Sequence, residues 1–228
     1  MLIKDWMATT ILTVDANTSV MRATRIMKEN NIRRLPVLSH GKLVGVITDR
    51  DLKEASPSRT TEVDIHEMYY LLSEMRITDV MTRNPVCMKE DDTLEKAALV
   101  MLKEKISGIM VLGSEGNLVG LLSETDILHA FLHATGIRDG AHQYVIDMND
   151  EPGVVTRVID ILKTMDARVL SILTSFDDAP HGKKRVSIRI SMKDEQVDHF
   201  TKEINGLGGY NIVYYGKDDL GDLPRKKS

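Results

Sequence analysis

Several kinds of residue and segment are scarce in this sequence of 228 residues. It contains a single cysteine, Cys87, which excludes an internal disulfide and a thiolate-rich metal site and which we interpret as a small buried residue. No apolar run is long enough to cross a bilayer. The first residues lack the apolar core and the small-residue cleavage site of a signal peptide. We therefore expect a cytoplasmic protein with no membrane span.

Basic charge and enzyme motifs are scarce as well. The 30 lysines and arginines are outnumbered by 34 aspartates and glutamates, which argues against nucleic acid as a partner. The sequence has no P-loop, no dinucleotide glycine pattern and no Gly-x-Ser-x-Gly elbow, so we do not expect an enzyme or a catalytic residue. His129 and His133 stand four apart without a third ligand in a recognisable pattern, and we predict neither a metal site nor a cofactor.

What the sequence does contain is an internal repeat. The segment IKDWM at 3–7 recurs as ITDVM at 77–81, and GVITDRDL at 45–52 recurs as GLLSETDI at 120–127. The offset is 74 residues at the start and 75 at the end, with the extra residue in a glycine-containing turn. A repeat of this kind indicates two units of one fold.

Both copies show the same succession of apolar patterns. A helix is predicted first, with Thr18 and Asp92 as the N-cap candidates of the two copies. Two strands separated by a glycine-containing turn follow, and a final helix begins near Asp49 in one copy and near Glu124 in the other. A further helix is predicted between the copies, over 66–75.

The strand, turn, strand and Gly-x-x-Thr/Ser-x-x-Asp pattern resembles the CBS module. The resemblance covers about residues 1–136, and both copies carry the complete signature. In that family two modules normally pack as a pseudo-symmetric Bateman unit. We therefore predict a first CBS module at 1–66 and a second at 67–138.

The signature residues have chemistry suited to a nucleotide. The carboxylates of Asp51 and Asp126 can each accept hydrogen bonds from two ribose hydroxyls. The hydroxyls of Thr48 and Ser123 precede a helix, where free N–H groups favour a phosphate, and the planar guanidinium of Arg34 also suits phosphate. The resemblance assigns the adenine to apolar stretches that open the modules, at Thr10, Ile11, Pro85 and Val86.

Two questions about this site stay open at this point. Asp51 and Asp126 would equally serve as caps of the final helices, with Thr48 and Ser123 as the N-cap residues. The copies also differ, because Arg34 aligns with Gly108 in the second copy, so we predict unequal affinities at two sites. The neighbouring Arg33 is either part of the phosphate path or an exposed, solubilising charge.

The C-terminal segment has a different order of patterns, which predicts βαββαβ. With Asp-Glu-Pro-Gly at the first strand-to-helix turn, it resembles the ACT domain, a ferredoxin-like module, over 142–217, and a polar tail follows at 218–228. The resemblance implies an amino-acid ligand on the loop of Asn149, Asp150 and Gly153. The asparagine of the family pattern is replaced by Arg168, or by Ala167 if the register shifts by one residue, and a dimerisation platform is the alternative. An exposed edge strand favours a homodimer in either case.

The predicted fold class is therefore α/β (α+β), with two CBS modules followed by a ferredoxin-like ACT domain. This combination resembles the bacterial acetoin-utilisation CBS–ACT proteins. We predict a regulatory sensor of adenine nucleotides (AMP, ADP, ATP or S-adenosylmethionine) that couples their binding to the ACT domain and modulates an unidentified partner protein. One alternative is an amino-acid-responsive ACT regulator with the CBS pair as a dimerisation scaffold, and a second is an enzyme acting on nucleotides.

Overall fold

A computed structural model describes residues 1–55, 72–221 and 223. They fall into two units by their contacts, Met1–Leu128 and His129–Ser228, and both helices and strands occur in each. Of the helix predicted at 66–75, residues 72–74 are helical, and residues 66–71 lie outside the described part of the chain. No helix in the described ranges has the length and apolar character needed to cross a membrane.

The repeat observed in the sequence is a repeat of elements in the structure. The first copy contains β1 Val14–Asp15, α1 Val20–Glu29, β2 Arg34–Ser39, β3 Lys42–Thr48 and α2 Asp49–Ala55. The second contains β4 Thr82–Arg83, β5 Cys87–Lys89, α3 Leu94–Glu104, β6 Gly108–Leu112, β7 Leu118–Ser123 and α4 Glu124–Ala134. The order of the helices and of the longer strands confirms the predicted succession.

The N-cap of the first helix in each copy lies one residue after the predicted one. Ser19 Oγ accepts a hydrogen bond from the Arg22 amide at 3.3 Å, and Thr93 Oγ1 accepts one from the Lys96 amide at 3.3 Å. The predictions of Thr18 and Asp92 as N-caps were wrong. Asp92 instead closes the preceding turn, because its Oδ2 accepts a hydrogen bond from the Lys89 amide at 3.0 Å.

The opening segment of each copy belongs to the sheet of the other copy. β4 opens the second copy but adds to the first sheet, whose order is β1-β2-β3-β4, with Gly45 opposite Arg83. In the converse arrangement Ala8, from the first copy, bridges to Leu121 of β7, in the sheet of order β5-β6-β7. The two copies are therefore interleaved along the chain and are not independent modules.

A glycine in each copy makes room for this exchange. A Cβ atom placed on Gly45 would collide with the sulfur of Met81, and one placed on Gly120 would collide with the sulfur of Met7. Both methionines end the opening motif of the repeat, and both glycines begin its closing motif. The opening motif of each copy thus packs against the closing motif of the other copy, so the same glycine–methionine contact occurs twice.

The second unit confirms the predicted βαββαβ order. Its elements are β8 His142–Asn149, α5 Val154–Thr164, β9 Arg168–Ser175, β10 Lys183–Ser191, α6 Val197–Gly206 and β11 Tyr210–Lys217. The strands form one antiparallel sheet of order β11-β8-β10-β9. Alternate residues of β8 and β10 pack with the apolar residues of α5 and α6 in a core of Tyr144, Ile146, Met148, Val158, Leu162, Val186, Ile188, Ile190, Phe200 and Ile204.

A buried arginine joins four parts of this unit. The guanidinium of Arg189 donates two hydrogen bonds to the carboxylate of Asp218, at 2.7 and 3.2 Å. It also donates to the carbonyl of Thr135 at 2.9 Å and to the side-chain oxygen of Gln143 at 3.1 Å. The side chains of Arg189 and Asp218 are only 9% and 11% exposed, so each charge depends on the other for its partner.

A second ion pair on the same sheet predicts a dependence of stability on pH. The Arg185 guanidinium donates to both oxygens of Asp147, at 2.8 and 3.0 Å, and these hydrogen bonds hold the pKa of Asp147 below its usual range. A carboxyl whose folded pKa is depressed stabilises the fold above its unfolded pKa of about 3.9 and loses that contribution as the pH falls through the folded value. We therefore expect the urea midpoint of the second unit to fall on acidification below about pH 4, by less in Asp147→Asn than in the wild type.

The measurement is urea unfolding between pH 2 and pH 6 by far-UV circular dichroism, with Trp6 fluorescence recorded in parallel to identify the transition of the first unit. Asp177→Asn provides the matched control, because Asp177 is an exposed loop carboxylate of the same unit. Equal pH slopes for the wild type and Asp147→Asn would contradict the assignment.

Candidate functional site

A pocket of about 440 Å³ lies in the first unit and is formed by both copies of the repeat. Four residues predicted for nucleotide binding line it: Thr10, Ile11 and Arg34 from the first copy and Ser123 from the second. Its volume lies within the range of about 300–1,000 Å³ that is usual for small-molecule sites. The remaining lining residues are Ala8, Leu12, Asn30, Ile32, Arg33 and Leu121.

The pocket is lined by both apolar and polar residues. Ile11, Ile32 and Leu121 line it with aliphatic side chains. Ser123 contributes a hydroxyl at the start of α4, and Arg33 and Arg34 contribute two cations. A flat apolar group flanked by a polyol and an anion would satisfy all three surfaces.

Ser123 and Asp126 form a capping box at the start of α4. The Asp126 Oδ2 accepts from the Ser123 amide at 2.7 Å and from the Ser123 hydroxyl at 2.6 Å. In return the Asp126 amide donates to Ser123 Oγ at 3.3 Å. This reciprocal pattern satisfies amides that the helix itself leaves free.

Thr48 and Asp51 repeat the arrangement at the start of α2. The Asp51 Oδ2 accepts from the Thr48 amide and from the Thr48 hydroxyl, both at 2.8 Å, and the Asp51 amide donates to Thr48 Oγ1 at 3.3 Å. The carboxylates of both copies thus act as helix caps. Among the described residues, their hydrogen bonds all go to Oδ2, which leaves each Oδ1 as an acceptor for another donor.

Arg34 extends from the first copy to the second. Its guanidinium donates to the carbonyl of Ser107 at 2.5 Å and to the Ser107 hydroxyl at 2.8 Å. A Cβ atom on Gly108 would collide with this guanidinium, so the glycine is needed for the contact. Burial, followed by the charge of Arg33, lowers the pKa of Arg34, and the carboxylates of Glu124, Asp126 and Asp49 oppose that change.

The pocket combines predicted residues of both copies. Thr10, Ile11 and Arg34 of the first copy lie with Ser123 of the second, whereas Thr48 and Asp51 do not line it. The reason is the exchange of opening segments, which brings the start of the chain against β7.

Pro85 and Val86 are half-buried and do not line this pocket. The Val86 carbonyl accepts a hydrogen bond from the Met110 amide at 3.2 Å, which continues the pairing of β5 with β6. Ile32 and Leu121 line the pocket but were not predicted. Two features of the sequence could have indicated them: Ile32 directly precedes Arg33, and Leu121 lies within the closing motif at 120–127.

The residues predicted to bind an amino acid lie together between β8 and α5. The Asn149 side chain donates to Glu151 at 3.3 Å, Asp150 is exposed 3.5 Å from the Lys184 ammonium, and Gly153 caps α5 with a φ of +84°. Arg168 is exposed at the start of β9. His129 and His133 are exposed on α4.

The CBS domain family model matches residues 3–58 and 77–133, which are the two copies of the repeat. A CBS domain-containing protein of Dictyostelium discoideum is 30% identical over 128 residues, which are 56% of this chain and 88% of that protein. An L-aspartate semialdehyde sulfurtransferase of Methanocaldococcus jannaschii is 32% identical over 131 residues, but these are 57% of this chain and only 23% of the enzyme.

A solved CBS domain pair in complex with 5′-methylthioadenosine and S-adenosyl-L-methionine is 32% identical, with a TM-score of 0.48. The match covers 57% of this chain and 95% of that one. The family match ends at residue 133, so the ACT domain, the resemblance to acetoin-utilisation proteins and the homodimer stay predictions. The family model matches both copies of the repeat, and the match to the Dictyostelium protein covers 88% of that protein. This chain therefore belongs to the family of CBS domain-containing proteins.

Proposed function

We propose that the pocket between the two CBS modules binds an adenine nucleotide or another adenosyl compound, and that the chain is a regulatory sensor and not an enzyme. The observation that carries the proposal is the composition of the pocket. Aliphatic side chains, the hydroxyl of Ser123 and two arginines line about 440 Å³, and the Asp126 carboxylate is hydrogen-bonded to Ser123. Adenosyl compounds also occupy the solved CBS pair described above, and the same ligand class suits the chemistry of this pocket.

Each part of an adenosyl ligand has a counterpart among the lining residues or in Asp126, which is hydrogen-bonded to the lining residue Ser123. The adenine ring would lie against Ile11, Ile32 and Leu121, where its faces lose contact with water. The free Oδ1 of Asp126 would accept from a ribose hydroxyl, because a carboxylate oxygen is a strong acceptor of hydrogen bonds. Phosphate groups would reach Arg33 and Arg34, whose guanidinium groups donate in a planar fork.

Regulation requires that the ligand favour one arrangement of the protein over another. We propose that the second unit is an ACT domain and that it receives this change and passes it to a partner protein. Support comes from its βαββαβ order and from the clustering of Asn149, Asp150 and Gly153 on one loop. An amino acid is the proposed second ligand, and a homodimer is the proposed assembly.

The first test is a calorimetric titration of the full chain with AMP, ADP, ATP and S-adenosylmethionine. We expect micromolar binding, weakened about 10- to 150-fold in Asp126→Asn. Asparagine still has an oxygen to cap the Ser123 amide, but it loses a charge-assisted hydrogen bond that contributes about 1.5–3 kcal/mol.

Asp92→Asn is the matched control, because Asp92 also accepts from a main-chain amide, but that amide belongs to Lys89, which does not line the pocket. If none of the four ligands binds, the proposal fails and the CBS pair is a scaffold. Binding that Asp126→Asn leaves unchanged would remove the ribose assignment.

A further inference from the structure

The repeat relates the pocket of the first unit to a second region with the same local contacts. Cleft A is the pocket that Arg33, Arg34 and Ser123 line, and Asp126 is hydrogen-bonded to that Ser123. Cleft B is the corresponding region around Thr48 and Asp51. The same contacts occur twice with the copies exchanged: the Asp49 amide donates to the Arg33 carbonyl, and the Glu124 amide donates to the Ser107 carbonyl.

The basic residues break this symmetry. Arg34 stands opposite Thr48 in the pairing of β2 with β3, and its counterpart Gly108 stands opposite Ser123 in the pairing of β6 with β7. The counterparts of Arg33 and Arg34 are thus Ser107 and Gly108, which carry no charge. A guanidinium from one copy occupies the space that a side chain at position 108 would need.

Arg34 lies where the two copies meet, because its guanidinium contacts Ser107 and the space above Gly108, the counterparts of Arg33 and of Arg34 itself. Its backbone is paired with Thr48 of cleft B, and its side chain lines cleft A. The guanidinium is hydrogen-bonded to Ser107, which holds in the second copy the position that Arg33 holds in the first. The carboxylates whose charges act on it belong to both helix starts, Asp49 of α2 and Glu124 and Asp126 of α4.

We propose that the two clefts share the Arg34 guanidinium as one phosphate-binding group, so that an anionic ligand in one cleft weakens the binding of a second in the other. This inference rests on the proposed function. A guanidinium that donates its fork to one polyphosphate is not free to donate it to another, and in addition the first ligand neutralises the charge that the second would meet. Binding of phosphorylated nucleotides is then negatively coupled, whereas binding of an uncharged nucleoside is not.

The experiment compares calorimetric titrations of the full chain in three forms. Asp51→Asn disables cleft B, Asp126→Asn disables cleft A, and the wild type has both. If the clefts act independently, the wild-type ATP titration equals the superposition of the two single-cleft titrations. We expect instead a second ATP that binds at least about fivefold more weakly than either single-cleft affinity, within the usual range of about 5- to 150-fold for couplings between sites. With adenosine, the wild-type titration is expected to equal the superposition of the two single-cleft titrations.

Variants at the two arginines identify the shared group. Arg34→Met is expected to remove the coupling, and Arg34→Lys, which keeps the charge, is expected to retain part of it. Arg33→Met is the matched control, because Arg33 is the neighbouring cation of cleft A: it should weaken ATP there and leave the coupling in place. Circular dichroism of each variant shows whether it is folded.

The outcomes separate this inference from the function on which it rests. Two results would overturn the sharing of Arg34 but not the nucleotide site. One is a wild-type ATP titration equal to the superposition of the two single-cleft titrations, and the other is coupling that persists in Arg34→Met. Coupling of equal size with adenosine overturns it as well, because the effect would not depend on phosphate. Absence of any nucleotide or nucleoside binding overturns both.

Discussion

Replacing Arg189 with methionine is expected to lower the free energy of unfolding of the second unit by about 3–5 kcal/mol. Removing one member of a buried ion pair leaves the other charge without a partner, and that is the size of the usual cost. Here Asp218 would lose both of its hydrogen bonds from the guanidinium, and Thr135 and Gln143 would each lose one. Methionine fills much of the volume, so the loss reports the polar contacts more than a cavity.

Urea unfolding with two probes measures this effect. Trp6 is the only tryptophan of the chain and lies in the first unit, so its fluorescence reports that unit, whereas far-UV circular dichroism reports both. We expect a dichroism transition at lower urea with an unchanged fluorescence midpoint. Arg25→Met is the control, because Arg25 makes an exposed ion pair with Glu29 and pairs of that kind contribute little. Identical transitions in wild type and Arg189→Met would refute the expectation.

Replacing Ile77 with alanine is expected to destabilise the first CBS module, although the residue opens the second copy. Ile77 is fully buried in a core cluster with Val14, Leu35 and Ile47 of the first copy, and its amide donates to the Thr18 carbonyl at 3.0 Å. Truncating a buried isoleucine to alanine costs about 2–5 kcal/mol, through lost burial and the cavity that remains.

Hydrogen exchange with mass spectrometry locates the damage. The largest loss of amide protection is expected in β2 and β3, at 34–48, and a smaller one in β6 and β7. Ile3→Ala is the matched variant, since Ile3 is also fully buried and its amide donates to the Asp92 carbonyl of the second copy. It should reverse the pattern. Loss centred on β6 and β7 in Ile77→Ala would contradict the exchange of opening segments.

Local patterns account for most of what the sequence predicted. The helix-forming stripe at Val20, Ala23 and Met27 and its counterpart at Leu94, Ala97 and Met101 are buried as the spacing requires. Thr48 with Asp51, and Ser123 with Asp126, have the spacing of a capping box, and that interaction depends only on residues within one turn. Such features can be predicted from the sequence because each depends on residues that are close together in the chain.

Contacts between distant segments were not predictable in the same way. β1 and β4 contain two residues each, too few for any alternation to show. The hydrogen bonds of Arg34 to Ser107 span 73 residues, and nothing near Arg34 in the chain indicates where its guanidinium goes. The sequence therefore predicted four of the lining residues, but it did not predict that residues of both copies form one pocket.

Because Met81 packs on Gly45 and β4 pairs with β3, the first sheet is completed only after part of the second copy has been synthesised. The first sheet has three of its strands once Thr48 has left the ribosome, but β4 follows only with Arg83, about 35 residues later. At about 5–20 residues per second this takes roughly 2–7 s. For that interval the edge of β3 is unpaired and Gly45 is uncovered, so the nascent chain has a free strand edge that a chaperone or a second nascent chain can meet before its own strand arrives.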